Sequence, residues 1–164
     1  MLRRLLTFLA NRRPRPTAEP CGPHRAAGLR AEEAAARTLE RLGYRVRARN
    51  VRFRFGELDL VCQHGQTLVF VEVKARAAPH HGAPVEAVTS QKQRQLVRLA
   101  QVYLQTLREG PPPCRFDVVA VDLTPDGRPA RVEVVVDAFR ADDELSGKAG
   151  RIPRCWRGAP YRRV

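Results

Sequence analysis

The stretch GELDLVCQHGQTLVFVEVKAR, residues 56–76, decides the fold of this chain. It predicts a β-hairpin with its turn at His64-Gly65, because Gly supplies the positive φ that a tight turn needs. The second strand is almost wholly apolar, yet it carries Glu72 and leads into Lys74. Burying either charge without a partner costs several kcal/mol, so these two residues need a chemical reason.

The hairpin register decides which side chains share a face. A two-residue loop at His64-Gly65 pairs Gln63 with Gln66, Asp59 with Phe70, and Glu57 with Glu72. Opposed residues share a face, so Asp59 and Glu72 become diagonal neighbours, about 7–8 Å apart by backbone. Lys74 projects to the same side, because side chains alternate along a strand.

Two carboxylates on one buried face repel each other and lose solvation, and a divalent cation relieves both problems. Mg²⁺ is held by one or two carboxylates together with water and substrate phosphate. Lys74 could then orient the attacking water or stabilise charge that develops on phosphorus. The chain has only three lysines, Lys74, Lys92 and Lys148, among 30 basic residues, so Lys at position 74 indicates a need for a compact amine. The alternative is an ordinary ion pair on a sheet surface.

An Ala-rich helix is predicted over residues 25–43, where Gly43 ends the pattern. Its apolar stripe is Ala35, Leu39 and Leu42. Continued backwards, the stripe places Glu32 toward the core and Glu33 toward solvent. Glu32 is thus a candidate third carboxylate, although a first-turn acid can also simply favour the helix dipole.

A strand follows over residues 44–53, with Tyr44, Val46 and Ala48 predicted on one face and Arg45, Arg47 and Arg49 on the other. A helix is predicted over 89–109, a buried strand over 116–123 parallel to the Glu72 strand, and an edge strand over 131–136. Candidate nucleic-acid contacts are Arg52, Arg54, Lys92, Gln93, Arg94 and Arg98. Each of these could equally belong to an ordinary solvated face.

The net charge of +13 favours a polyanionic partner, either nucleic acid or an anionic membrane surface. No segment is long and apolar enough to be transmembrane, and we expect no membrane association. The four cysteines lack zinc-ligand spacing, so we expect no zinc site. The chain is long enough not to need disulfides, which fits a reducing, cytoplasmic location. We predict a disordered basic arm at 1–24, one α/β domain at 25–139, and a basic tail at 140–164.

The ordered set of Glu32, Asp59, Glu72-Val73-Lys74 and Thr89-x-x-Lys92-Gln93 resembles the PD-(D/E)xK nuclease superfamily. Within it, GELDL, LVFVEVKAR, EAVT and FDVVAVD are similar to the YraN-type family of small bacterial proteins. The resemblance covers about residues 25–139. It departs at Ala31, where Gly usually precedes the helix Glu, and at Leu58, where the superfamily motif has Pro.

The resemblance implies a restriction-endonuclease-like α/β core, with a mixed sheet of about five strands flanked by helices in the order α-β-β-β-α-β-β. It implies that Asp59, Glu72 and Glu32 ligate Mg²⁺ or Mn²⁺ and that Lys74 acts on the attacking water, as in archaeal Holliday-junction resolvases. The expected function is a metal-dependent DNA endonuclease, with branched or structured DNA as a candidate substrate. Enzymes of this fold often act as homodimers. The alternatives are a non-catalytic nucleic-acid-binding protein that retains the fold, and an assembly factor that uses its basic tails.

Overall fold

The computed structural model describes residues 22–77, 88–108, 110 and 112–141. Nearly all of the predicted N-terminal arm and C-terminal tail therefore lies outside the described residues. The elements, in chain order, are α1 (Pro23–Arg41), β1 (Arg45–Phe53), β2 (Gly56–His64), β3 (Thr67–Ala77), α2 (Ser90–Gln105), β4 (Cys114–Leu123) and β5 (Pro129–Phe139). This confirms the predicted α/β class and the order α-β-β-β-α-β-β.

The five strands form one mixed sheet in the order β1-β2-β3-β4-β5. β3 and β4 are parallel, and the other neighbouring pairs are antiparallel. Parallel neighbours need a long crossover connection, and α2 lies within this one. The predictions of a parallel crossover and of an edge position for the last strand are both confirmed.

The two helices bury opposite faces of the sheet. Ala31, Ala35 and Leu39 of α1 belong to a core with Leu60 and Val71, whereas α2 packs into a second core. That second core includes Leu58, Phe70, Leu96, Leu99 and Phe116. None of the described helices has the length and apolarity that a bilayer span requires.

Gly43 follows the C-cap of α1 with φ +87° and ends this helix as predicted, whereas α2 ends earlier than its pattern predicts. α1 ends at Arg41 and Leu42 is its C-cap, which leaves the Leu42 side chain 54% exposed instead of within the stripe. α2 ends at Gln105 instead of residue 109, with Thr106 as the C-cap. Apolar spacing continues past each end, but it cannot show where the backbone leaves the helix.

A β-bulge changes the faces of β1. The register with β2 shifts between Val46 and Ala48, so Val46 packs on the α1 side and Ala48 on the α2 side. The predicted uniform alternation is therefore wrong, because a bulge adds an unpaired residue to one strand. Arg49 now faces α1, where its guanidinium lies 2.6 Å from the Glu33 carboxylate. Glu33 also pairs with Arg37, as expected for the solvent-facing side of α1.

The β2–β3 hairpin forms with a register two residues away from the predicted one. His64 pairs with Thr67 and Leu60 pairs with Val71, so Gly65 and Gln66 form the turn. Gly65 has φ +57°, at the position where a type II′ turn favours Gly. The His64 ring stacks on Tyr44 at 4.2 Å, and this contact helps to keep His64 within the strand.

Candidate metal centre and nucleic-acid surface

A shift of two residues preserves the faces of a strand, so the predicted grouping of side chains survives the error in register. The observed pairing of β2 with β3 ends at Leu60 and Val71, and Asp59, the next residue of β2, accepts a hydrogen bond from the Val73 N–H and feels the charge of Glu72. Phe70, on the same face as Glu72 and Lys74, packs in the α2 core. Glu72 and Lys74 therefore belong to the side of the sheet that α2 covers, and Asp59 lies next to Glu72.

Glu72 is the centre of this arrangement. It is only 3% exposed, and its Oε1 lies 2.8 Å from Lys74 Nζ and 3.1 Å from Lys92 Nζ. Its Oε2 is buried and has no hydrogen-bond partner among the residues that the structure describes. A buried carboxylate oxygen without a partner is costly, so this atom is a candidate ligand for a cation.

Asp59 is the second carboxylate, and its Oδ2 accepts a hydrogen bond of 2.8 Å from the Val73 N–H. Burial and the negative charge of Glu72 raise the pKa of Asp59 to about 7, and Glu32 contributes in the same direction. The Val73 N–H and the charge of Lys92 act against this increase in the pKa. A carboxylate in such surroundings is stabilised by any added positive charge.

Glu32 is half-buried on α1, and its charge is felt at Asp59. Within the described residues, however, no group of three or more His, Cys, Asp or Glu side chains is arranged to hold a metal ion. The three-carboxylate set stays a prediction. Asp59 and Glu72 still fit Mg²⁺ or Mn²⁺, because one or two protein carboxylates are sufficient when water and phosphate complete the shell.

The start of α2 fixes the position of Lys92. The Thr89 side chain accepts a hydrogen bond from the Lys92 N–H, which caps the helix. The Gln93 side-chain amide donates a hydrogen bond of 2.9 Å to the Val88 carbonyl. Gln93, a predicted nucleic-acid contact, therefore stabilises the start of α2. Lys92 was predicted to contact phosphate. In the structure its Nζ contacts the Glu72 carboxylate, which Lys74 Nζ also contacts. Sequence alone could not connect these two lysines, because the link depends on how α2 packs.

The other predicted nucleic-acid residues lie on the surface. Arg54, Arg94 and Arg98 are exposed. Arg52 is exposed as well, and it pairs with Glu57 at 3.3 Å. These residues come from the β1–β2 region and from α2, two parts of the fold that lie in contact.

A buried polar cluster on the α1 side was missed by the sequence analysis. Asp117 is fully buried and accepts hydrogen bonds from the Tyr44 hydroxyl at 2.8 Å and from the Arg115 guanidinium at 2.9 Å. Arg115 also contacts His64 Nδ1 at 3.0 Å. Burial and the charge of Asp117 raise the pKa of Tyr44. The signal for this cluster in the sequence is an Asp within an otherwise apolar strand. Each polar side chain of the cluster has a hydrogen-bond partner, which is typical of a structural role.

Comparison with known proteins identifies one family, both by its sequence model and by individual relatives. The sequence model of the uncharacterised protein family UPF0102 matches residues 31–121. A UPF0102 protein of Symbiobacterium thermophilum is 56% identical over 117 residues, which cover 71% of this chain and 98% of that protein. Similar proteins of Syntrophus aciditrophicus and Geobacter sulfurreducens are 46% identical over 112 residues and 43% identical over 125 residues, which cover 68% and 76% of this chain and 87% and 96% of those proteins. The family model covers the later part of α1, all of β1, the β2–β3 hairpin and α2, and most of β4. The chain therefore belongs to the uncharacterised protein family UPF0102.

Proposed function

We propose that this protein is a divalent-metal-dependent DNA endonuclease with a restriction-endonuclease-like core of the PD-(D/E)xK type. The observation that carries the proposal is Glu72, a buried carboxylate with two lysines on one oxygen and an unpartnered second oxygen. Asp59 stands beside it with a raised pKa, as expected when two carboxylates share a site that favours a cation.

Asp59 and Glu72 would hold Mg²⁺ or Mn²⁺, which supplies positive charge to polarise a phosphodiester group. Lys74 Nζ, held by Glu72 at 2.8 Å and 29% exposed, can donate a hydrogen bond to the attacking water and orient it. Lys92, 28% exposed, can pair with a phosphate oxygen while it still contacts Glu72. Each lysine is therefore positioned by the carboxylate between them.

DNA is the proposed substrate because of the basic surface and the net charge of +13. The exposed Arg54 lies in the turn that leads into β2, the strand of Asp59, and the exposed Arg98 lies on α2, the helix of Lys92. Phosphate contacts of this kind position a nucleic acid without reading its sequence. Structure-selective cleavage therefore fits the residues better than recognition of a base sequence.

The test is cleavage of branched and linear DNA of equal length by purified protein with Mg²⁺, Mn²⁺ or EDTA. We expect cation-dependent cleavage, and we expect Lys74→Ala to lower its rate by about 10²–10⁴-fold. Asp59→Asn should abolish the cation-dependent cleavage, because it removes one of the two proposed metal ligands. Glu57→Gln is the matched control, because Glu57 lies on the same strand as Asp59 but is partly exposed and paired with Arg52.

Equal cleavage by the wild type, Lys74→Ala and Asp59→Asn would identify a contaminating nuclease and overturn the proposal. Salt-dependent DNA binding with no cleavage under any cation would instead favour a non-catalytic nucleic-acid-binding protein. In that case the two lysines alone would neutralise Glu72.

A further inference from the structure

The exposed side of α2 and the β1–β2 turn enclose a second depression, separate from the carboxylate site. Its volume is about 540 Å³, within the range of small-ligand pockets. It is lined by Phe55, Gln91, Arg94, Gln95 and Arg98. One aromatic ring and two guanidinium groups therefore share one open surface, and sequence analysis had assigned no role to Phe55.

Phe55 is exposed, but its backbone is held in place. Its side chain is 46% exposed, its ring stacks on Phe53 at 6.2 Å, and its carbonyl accepts a hydrogen bond of 2.6 Å from the Gln95 amide. Gly56 follows with φ +145°, and a Cβ at that position would lie 2.6 Å from Gln95 Nε2. The turn is thus packed closely against α2. A ring fixed in this way can bind a flat ligand at a low entropic cost.

The polar side of the depression follows one stripe of α2. Gln91, Arg94, Gln95 and Arg98 recur at helical spacing and cover about 10 Å along the axis. Lys92, in the same turn of the helix, points instead to Glu72 at 3.1 Å. The first turn of α2 therefore contributes to both the depression and the carboxylate site.

We propose that this depression binds an unpaired nucleotide of a DNA strand, with its base stacked on Phe55 and its phosphates paired with Arg94 and Arg98. Aromatic rings in basic grooves are how proteins bind single strands without sequence preference. A duplex keeps its bases stacked and paired, so presenting a base face to Phe55 would require unstacking. The site therefore favours DNA that already has unpaired bases, such as branches, flaps and single-stranded ends. The inference takes its DNA partner from the proposed function, but it does not require cleavage.

The test measures binding by fluorescence anisotropy in EDTA, which separates it from cleavage. The probes are a labelled single-stranded oligonucleotide and a blunt duplex of the same length. We expect Phe55→Ala to weaken single-strand binding by about 5- to 150-fold, which corresponds to the stacking of one base. Duplex binding should be unchanged, and Phe55→Trp should restore single-strand binding. Leu42→Ala is the matched control, because Leu42 is a similarly exposed apolar side chain on another part of the surface.

A second pair of variants tests the phosphate contacts. Arg98→Gln should reduce the slope of log K against log salt for the single strand by about 0.7, the value for one phosphate contact. Arg128→Gln removes an exposed charge from the β4–β5 turn, and it should leave that slope unchanged.

Circular dichroism of each variant first confirms that it is folded. A Phe55→Ala protein that binds the single strand as tightly as wild type overturns the inference, and so does an equal loss for single strand and duplex. If cleavage is absent but Phe55→Ala selectively loses single-strand binding, the inference stands and the nuclease proposal fails. If the protein cleaves DNA but Phe55→Ala binds the single strand as tightly as wild type, the nuclease proposal stands and the inference fails.

Discussion

Asp59→Asn should stabilise the protein at neutral pH while it removes the response to metal. The Asn side-chain oxygen can still accept the hydrogen bond from the Val73 N–H, which is 2.8 Å long in the wild type. What the variant loses is a negative charge that is buried and faces a second carboxylate, Glu72. The substitution therefore separates the electrostatic cost of the site from its packing.

The magnitude follows from the pKa of Asp59, which rises from an ordinary 3.8 to about 7 in the folded protein. Between these two values the folded protein holds a proton that the unfolded chain has released, so stability falls as the pH rises through this window. The resulting penalty grows from about 2 kcal/mol at pH 5 to about 4 kcal/mol at pH 8. Asn has no such penalty. The advantage of Asp59→Asn should therefore be about 2–3 kcal/mol larger at pH 8 than at pH 5.

The assay is urea denaturation of wild type and variant at pH 5 and pH 8 in EDTA, then at pH 8 with Mn²⁺. Comparing the two pH values cancels any pH-independent effect of the amide. Mn²⁺ at 100 times its Kd should stabilise the wild type by about 2.7 kcal/mol and leave Asp59→Asn unchanged. Glu57→Gln is the control, because an exposed ion pair contributes about 0–1 kcal/mol and its loss should not alter the response to Mn²⁺.

The reasoning fails if Asp59→Asn has the same advantage at both pH values, because the burial of its charge would then carry no cost. Equal stabilisation of wild type and variant by Mn²⁺ would place the ion elsewhere. If the stability advantage of Asp59→Asn depends on pH but Mn²⁺ does not stabilise the wild type, the cost of burying the Asp59 charge is supported and the proposed metal site is refuted.

Three further substitutions test the scaffold by urea denaturation. Asp117→Ala should cost about 3–5 kcal/mol, because it leaves a buried guanidinium and the Tyr44 hydroxyl without their acceptor, and a loss below about 1 kcal/mol would contradict that role. Gly56→Ala should cost about 1–3 kcal/mol, since its φ of +145° is strained for Ala and the new methyl group would meet Gln95; a neutral result would show that the turn can move away. Thr89→Ala should cost about 1 kcal/mol through loss of the helix cap, whereas Thr89→Ser should keep most of the stability, and equal losses would rule out capping as the cause.

The order of helices and strands could be predicted from the sequence, because each element depends on local periodicity. Glu72 and Lys74 share a face in any regular strand, since side chains alternate. The parallel pairing of β3 with β4 followed from the helix between them. An error of two residues in the hairpin register left the paired side chains on their predicted faces, because a shift by an even number does not exchange the two faces of a strand.

Tertiary structure decided the contacts that join distant parts of the chain. Periodicity could not show that Lys92 reaches the Glu72 carboxylate at 3.1 Å, because that distance depends on where the start of α2 packs on the sheet. The hydrogen bond between Tyr44 and Asp117 joins residues 73 positions apart, and it depends on β1 and β4 together. The bulge in β1 reversed a predicted face for the same reason, since the register with β2 is set by packing.

The sequence by itself thus determined the order of elements and the common face of Glu72 and Lys74 in β3, because these follow from backbone periods of 3.6 and 2.0 residues. Only the tertiary structure decided that Glu72 is buried between two lysines with one oxygen unpartnered, and that Phe55 lies beside Arg94 and Arg98. Both results depend on distances between elements, which are fixed by the packing of helices on the sheet and not by any local pattern.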